Sequence, residues 1–422
     1  MTGPSQAFDP PPGASLPASG RILLGATCAL LFLAAASGSA GLRGAMLVIA
    51  SAALLWGRGA RLAGDLLELP RTVWIPCVAW GGLAALSVSW SVSPRFSLAE
   101  LRAEVGYGLL TFAISFVAAL TLRRWRAWWI AIVAGTATVF AVQLAQDVLA
   151  LKLSRHPMDG GPGPWSTHLV LVAPLLLALA WPRPWGFERG VLARVVALVL
   201  VLVAAAETAN RIVWAAFAVQ LAVALVATRA LSHAQPAHLA SSRRLVVIAA
   251  LAVVLGFGAA VLERNQRHFR ADPSLTASID GDLRPRLWSV AWEELGKAPW
   301  LGHGFGREIL EERFLAKTPA PSTGHPPMRH SHNAFVDVAL QLGLVGLAAF
   351  LAIWVGLARE HLRALREPAL APLGVIGLTM LAGYAVKNLT DDFFYRHNGL
   401  VFWALNGLLL GLARAVRGPG RG

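Results

Sequence analysis

Residues 334–357 read AFVDVALQLGLVGLAAFLAIWVGL, a stretch with one charged side chain, Asp337. About 20 apolar residues carry a helix across a bilayer core, so this stretch predicts a membrane span. The same ruler moved along the chain gives about twelve candidate spans. They lie at 22–40, 43–57, 72–93, 106–122, 127–148, 166–182, 191–208, 212–228, 245–262, 334–357, 370–387 and 398–414. Composition agrees, with 56% hydrophobic and 14% charged residues in a chain of 422 and a mean hydropathy of +0.58. The expected fold class is all-α, a polytopic membrane protein of about twelve transmembrane helices and one long helical outward loop.

Arginines set the orientation. Loops after even-numbered spans carry Arg58, Arg61 and Arg71, then Arg123, Arg124 and Arg126, then Arg183, Arg189 and Arg194, then Arg229, Arg243 and Arg244, then Arg359, Arg363 and Arg366, and finally Arg414, Arg417 and Arg421. By the positive-inside rule both termini are cytoplasmic and residues 263–333 face outward. The expected organisation is a disordered cytoplasmic N-terminus at 1–20, transmembrane helices 1–9 over 21–262, an outward loop domain at 263–333, transmembrane helices 10–12 over 334–415, and a cytoplasmic tail at 416–422. Residues 1–20 are polar and proline-rich, without the basic start and cleavage site of a removable signal peptide. The net charge of +14 is spread over these loops, which argues against a nucleic-acid patch. Cys28 and Cys77 sit inside apolar runs and make no disulfide framework. No internal repeat is evident.

A loop of some 70 residues is too long for a connector. It predicts a helix from Leu283 to Leu295 with Asp282 as N-cap, Pro285 in the first turn and Gly296 at the stop. Gly302-His303-Gly304-Phe305-Gly306 calls for a tight turn or close backbone approach. A short helix over Arg307 to Ala316 follows, then a proline-rich crossing to Arg329-His330-Ser331-His332-Asn333. Asp280-Gly281-Asp282 spells a D-x-D metal motif, but it stands directly before a helix, where aspartates cap.

The strongest local signal is His332-Asn333, nine residues, then Gly343-Leu344-Val345-Gly346. Arg284-Pro285-Arg286-Leu287-Trp288 leading to Leu301-Gly302-His303-Gly304, Asn210-Arg211 at the start of the eighth span, and Asp391-Asp392-Phe393-Phe394-Tyr395-Arg396-His397-Asn398 before Phe402-Trp403 accompany it in order. The chain from about residue 90 onward thereby resembles the O-antigen ligase family, related to O-antigen polymerases and protein O-oligosaccharyltransferases. The resemblance implies a glycosyltransferase of the bacterial inner membrane with its site on the periplasmic side. Its implied donor is an undecaprenyl-diphosphate-linked glycan and its acceptor the lipid A core, with no metal, cofactor or nucleic acid.

The residues fit such a transfer, which needs a proton acceptor for the incoming hydroxyl and positive charge for the departing diphosphate. His332, ahead of a helix that Asn333 caps, is the expected base, kept neutral by the positive helix end. His330 is a rival two residues earlier. Arg211, with Arg284 or Arg286, is expected to bind the diphosphate. His303, Lys387, Asp391 and His168 are further substrate-binding candidates, Lys387 with interfacial anchoring as its alternative. A transporter of an anionic lipid is the competing class. It asks for broken helices near the midplane and ionisable groups inside spans, whereas Asp147, Glu207, Asp337 and Gln341 sit near outer ends and Arg194 near an inner one.

Overall fold

The computed structural model describes residues 15–149, 161–179, 191–208, 210–232, 256–258, 284–318 and 328–418. Among these residues every regular element is helical. The helices are α1 (Ala18–Leu33), α2 (Ala40–Arg58), α3 (Leu62–Leu67), α4 (Arg71–Ser87), α5 (Pro94–Glu100), α6 (Tyr107–Leu122), α7 (Trp125–Leu149), α8 (Pro162–Val172), α9 (Val191–Glu207), α10 (Arg211–Ser232), α11 (Arg284–Lys297), α12 (Glu311–Lys317), α13 (Ala334–Leu365), α14 (Ala371–Asn388) and α15 (Arg396–Arg417). Six described helical segments are long and apolar enough to cross a membrane: Ser37–Leu67, Pro94–Leu122, Trp125–Gln146, Arg211–Arg229, Ala334–Leu365 and Arg396–Arg417. Ala18–Leu33 and Val196–Glu207 are shorter apolar helices. Large apolar side chains such as Val48, Leu55, Val78, Val226 and Val355 point outward and are exposed, as lipid-facing residues are. The chain is an all-α polytopic membrane protein.

Several boundaries differ from the sequence expectation. The sixth span is α8 followed by a 3-10 stretch from Ala173 to Leu179, because Pro174 has no N–H to continue the α ladder. The first span stops at Leu33 and resumes after a 3-10 turn at Ser37–Ser39. The helix expected from Leu283 runs from Arg284 to Lys297, and its expected cap Asp282 lies outside the described residues, as does most of 245–262. The helix expected from Arg307 begins only at Glu311, since turn bonds from Ile309 N–H to the Gly306 carbonyl (3.0 Å) and from Glu311 N–H to the Glu308 carbonyl (3.0 Å) precede it.

Helix packing uses small residues and buried polar pairs, as is usual where lipid supplies no hydrophobic drive. Gly407 and Gly411 of α15 lie against the α6 backbone at Phe112 and Phe116. His361 of α13 meets Asn406 of α15 at 3.0 Å, and Thr72 of α4 donates to Glu360 at 2.7 Å.

The decisive irregularity is in α13. Gly343 has φ 66 and ψ −171, which breaks the helix. Segment 299–304, from the stretch between α11 and α12, fills the break. Leu344 N–H donates to the Pro299 carbonyl (2.8 Å) and Val345 N–H to that of Trp300 (3.3 Å), while the Leu340 and Gln341 carbonyls accept from His303 N–H (2.9 Å) and Gly304 N–H (3.0 Å). Irregular backbone at membrane depth needs such internal partners. A Cβ at Gly343 would collide with the Trp300 carbonyl, and one at Gly302 (φ 67) with the Gln341 carbonyl. Phe305 then enters the core, 5% exposed, edge-on to Trp80 at 5.9 Å. Phe394 plugs the same aromatic cluster from the turn after α14, 5.0 Å from Phe350 and 5.1 Å from Phe402.

Gly343→Ala is therefore expected to cost about 3 kcal/mol or more, from a backbone region closed to L side chains plus the clash. In detergent its thermal unfolding midpoint should fall by several degrees, or the protein should fail to fold; a wild-type midpoint would mean that the break is not required.

Candidate active site

The turn after α14 is the hub of the site. Asn388 Oδ1 accepts from Phe393 N–H (3.0 Å), and the Tyr384 hydroxyl donates to the Phe393 carbonyl (2.6 Å). With Phe394 anchored in the core, these bonds hold Asp391 and Asp392 in a fixed direction. Two other segments bond to this turn. Asn333 Nδ2 donates to the Leu389 carbonyl at 3.1 Å, Arg284 Nε to that of Thr390 at 3.0 Å, and Asp391 Oδ1 lies 3.0 Å from His332 Nδ1.

His332 is held from several sides. Asn333 caps α13, its Oδ1 accepting from Phe335 N–H (3.0 Å) and Val336 N–H (3.2 Å), the arrangement expected of an asparagine N-cap. Asp337, one turn into the helix, accepts from Ser331 N–H at 2.9 Å and lies 3.1 Å from His330 Nδ1. His332 itself has φ 56, a left-handed conformation that few non-glycine residues adopt. Its ring stacks on His330, centroids 4.2 Å apart.

The partners assign the tautomers. A carboxylate only accepts, so His332 Nδ1 carries the proton shared with Asp391, and the lone pair is at Nε2. No described residue bonds to that Nε2, and the side chain is 20% exposed. His330 has the same tautomer, but its second nitrogen is taken: Arg307 Nη2 donates to its Nε2 at 2.6 Å, which leaves the proton on Nδ1 toward Asp337. His330 is occupied at both nitrogens, and His332 is the residue with a free accepting atom.

Arg307 ties the two histidines to the acidic turn. It lies 3.5 Å from Asp391 and 3.8 Å from Asp392, with Tyr395 under its guanidinium at 4.9 Å. Burial works against its charge, but Asp392, Asp391 and Asp337 more than offset this and raise its pKa. Burial likewise opposes ionisation of Asp391, yet the His332 hydrogen bond and the nearby positive groups hold its carboxyl well below the usual range. Asp391 is thus a fixed anion beside His332. Burial pushes Asp392 the other way, above the usual carboxylate range, with Arg307 opposing.

Further cations lie near the turn. Lys387 is fully buried, its Nζ 2.9 Å from Ser166 Oγ and 4.6 Å from the Phe393 ring centroid. This replaces the interfacial anchor considered for it, because the side chain turns inward and does not snorkel. Ser166 also accepts from Asn210 Nδ2 at 3.1 Å. Asn210 Oδ1 in turn accepts from Ile212 N–H at 3.0 Å, which seats the half-buried Arg211 at the start of α10 in the same neighbourhood.

Some expected residues stand apart. Of the two arginines left open in α11, Arg284 turns toward the site, while Arg286 is exposed. His303 is structural: its ring meets the Glu294 carbonyl at 3.0 Å and its backbone joins the α13 break. His168 is fully buried, 3.0 Å from Thr136 and stacked on Trp165, two residues along α8 from Ser166. Arg307 and Ser166 were not singled out as site residues from the sequence, whereas Asp392 stood beside Asp391 in the quoted acidic stretch and Asp337 was noted only for its place near the end of its span. Only Arg307 carried a signal, as the side chain that follows the Gly-x-Gly run.

His330, His332 and Asp391 offer atoms within 4.8 Å of one another, a spacing able to hold a metal ion. The existing partners compete with that use, because Asp337 and Arg307 engage both His330 nitrogens and the Arg307 guanidinium already lies 3.5 Å from Asp391.

The family model described as O-antigen ligase matches residues 196–351. An O-antigen ligase of Pseudomonas aeruginosa is 24% identical over 296 residues, covering 67% of this chain and 63% of that protein. The chain thus spans somewhat less than two thirds of that relative's length. The match to the family model contains Arg211, Arg284, Arg307, His332 and the Gly343 break. Motifs, family model and curated relative together support the O-antigen ligase family for this chain.

Proposed function

We propose that the chain transfers a glycan from an undecaprenyl-diphosphate carrier to a sugar hydroxyl of the lipid A core, at the periplasmic face of the inner membrane. The observation that carries this reading is the His332–Asp391 pair. It leaves one accepting ring nitrogen directed away from its anchor, beside a group of cations that includes a buried lysine. His332 Nε2 removes the proton of the acceptor hydroxyl as its oxygen attacks the anomeric carbon. The bond from that carbon to the phosphate oxygen breaks, and the diphosphate leaves with the electron pair. Asp391 stabilises the imidazolium that forms, as the buried carboxylate of a catalytic triad does.

Arg284, Arg211 and Lys387 are suited to the diphosphate, two as planar bidentate donors and one as a compact point charge. A single displacement with one base inverts the anomeric centre. The transfer is proposed to be metal-independent, since the histidines are already committed to carboxylate and guanidinium partners. Polymerase and protein-glycosylating relatives use the same chemistry on other acceptors. The break in α13 is a feature that a transporter would also want. Here, however, four backbone groups at the break, the Leu344 and Val345 amides and the Leu340 and Gln341 carbonyls, bond to residues 299–304, so the break serves to dock that segment.

In a ligase-deficient strain scored by lipopolysaccharide gels, wild type should restore the long-chain ladder and His332→Ala should abolish it at equal protein level, a loss of about 10²–10⁴ in rate. Recovery without the imidazole would remove the base from the scheme, and carrier-linked glycan that lengthens instead would make the protein a polymerase. Asp391→Asn should preserve folding but reduce turnover by at least about 10², because the amide can present a donor to Nδ1 and favour the wrong tautomer. Arg284→Ala should raise the donor KM and lower kcat, whereas Arg286→Ala should change neither; equal effects would contradict the orientation of α11. With purified enzyme, activity should survive exhaustive chelation, and a loss reversed by a divalent ion would convert the His330–His332–Asp391 group into a metal centre.

A further inference from the structure

At the end of α13 remote from His332 the helix presents a different chemistry. A groove of about 550 Å³ is lined by Val355, Ala358, Arg359, Leu362, Arg363 and Arg366. Val355, Arg359, Leu362 and Arg366 recur every three or four residues, so they form one stripe along the helix. Val355 is 66% exposed and Leu362 45% exposed, in a stripe that also carries exposed arginines. The charges are not balanced. Glu360 accepts from Arg363 at 2.6 Å and is itself buried against Thr72, but no described residue pairs with Arg359 or Arg366. The helix resumes after the Gly343 break, and Arg359 lies 15 residues beyond Leu344, roughly 22 Å along it at 1.5 Å per residue, so the groove is well separated from His332.

We propose that this groove binds the headgroup of an anionic phospholipid. Arg359 and Arg366 contact its phosphate oxygens, and the acyl chains run along Val355 and Leu362. Apolar contact alone suits any lipid. The two uncompensated guanidiniums beside it select a negative headgroup, and guanidinium binds phosphate with two parallel hydrogen bonds. A soluble anion would gain nothing from the exposed valine and leucine, so the occupant is a lipid and not free phosphate. The site is independent of the transfer chemistry, because it uses no residue of the His332 region.

The test is native mass spectrometry and thermal unfolding of the full chain in neutral detergent, with phosphatidylglycerol, cardiolipin, phosphatidylcholine or inorganic phosphate added. Wild type should retain the two anionic lipids and unfold several degrees higher with them, and respond to neither phosphatidylcholine nor phosphate. The double variant Arg359→Gln/Arg366→Gln should lose at least tenfold in apparent anionic-lipid affinity. Arg359→Lys/Arg366→Lys should keep most of it, and the remote exposed Arg95→Gln should behave as wild type. Equal retention of phosphatidylcholine by wild type, the same shift from phosphate alone, or undiminished affinity in the glutamine pair would each overturn the proposal. Should the glutamine pair not fold, the wild-type comparison of lipids still decides.

Discussion

At Gly343 a membrane helix gives up its own hydrogen bonds and takes those of the segment at 299–304, and the geometry of the site follows from that exchange. An unpaired amide in hydrocarbon costs several kcal/mol, so the break and segment 299–304 are obligate partners. Once His303 and Gly304 are bonded to Leu340 and Gln341, Phe305 has one place to go and Arg307 follows two residues later. The same helix carries His332 just before its first turn. One stretch of backbone pairing therefore fixes the arginine on one strand and the histidine on the other, and their 2.6 Å contact through His330 is its result.

The charge pattern rests on that frame. Asp391 and Asp392 are flanked by cations, with Arg307 3.5 Å from Asp391 and Arg284 bonded to the Thr390 carbonyl. In the proposed reaction Arg284 and Lys387 meet the diphosphate. Burial raises the stakes, since a lysine removed from water and bonded to a serine hydroxyl is costly unless an anion comes to it.

Much of this was legible in the sequence. Apolar run length marked the chain as a bundle of membrane helices, and the helix-start chemistry of Asn333 named its own cap. The motif around His332 pointed to the residue now proposed as the base, and the glycine run 302–306 announced a close backbone approach before its partner was known. What could not be read was pairing across the chain. Arg307 looked like the first residue of a surface helix, because nothing local tells an arginine that it faces a histidine 23 residues on. Ser166 was one hydroxyl in an apolar span, and its role appears only when α8, α10 and α14 converge. Asp391 was read as a substrate-binding residue, and its Oδ1 lies 3.0 Å from the His332 imidazole. The choice between Arg284 and Arg286 needed the rotation of α11, which the proline between them hides.

The order of the chain gives the α13 break one more consequence. Segment 299–304 is synthesised before α13, so it must already be across or at the membrane surface when that helix enters the bilayer. Until the two meet, the helix carries exposed amides at Leu344 and Val345 and the loop carries unpaired carbonyls at Pro299 and Trp300. Assembly of the site is therefore a late step of biogenesis, in which a loop made first waits for the span that will receive it. A chain caught before that step would be inserted, oriented and inactive.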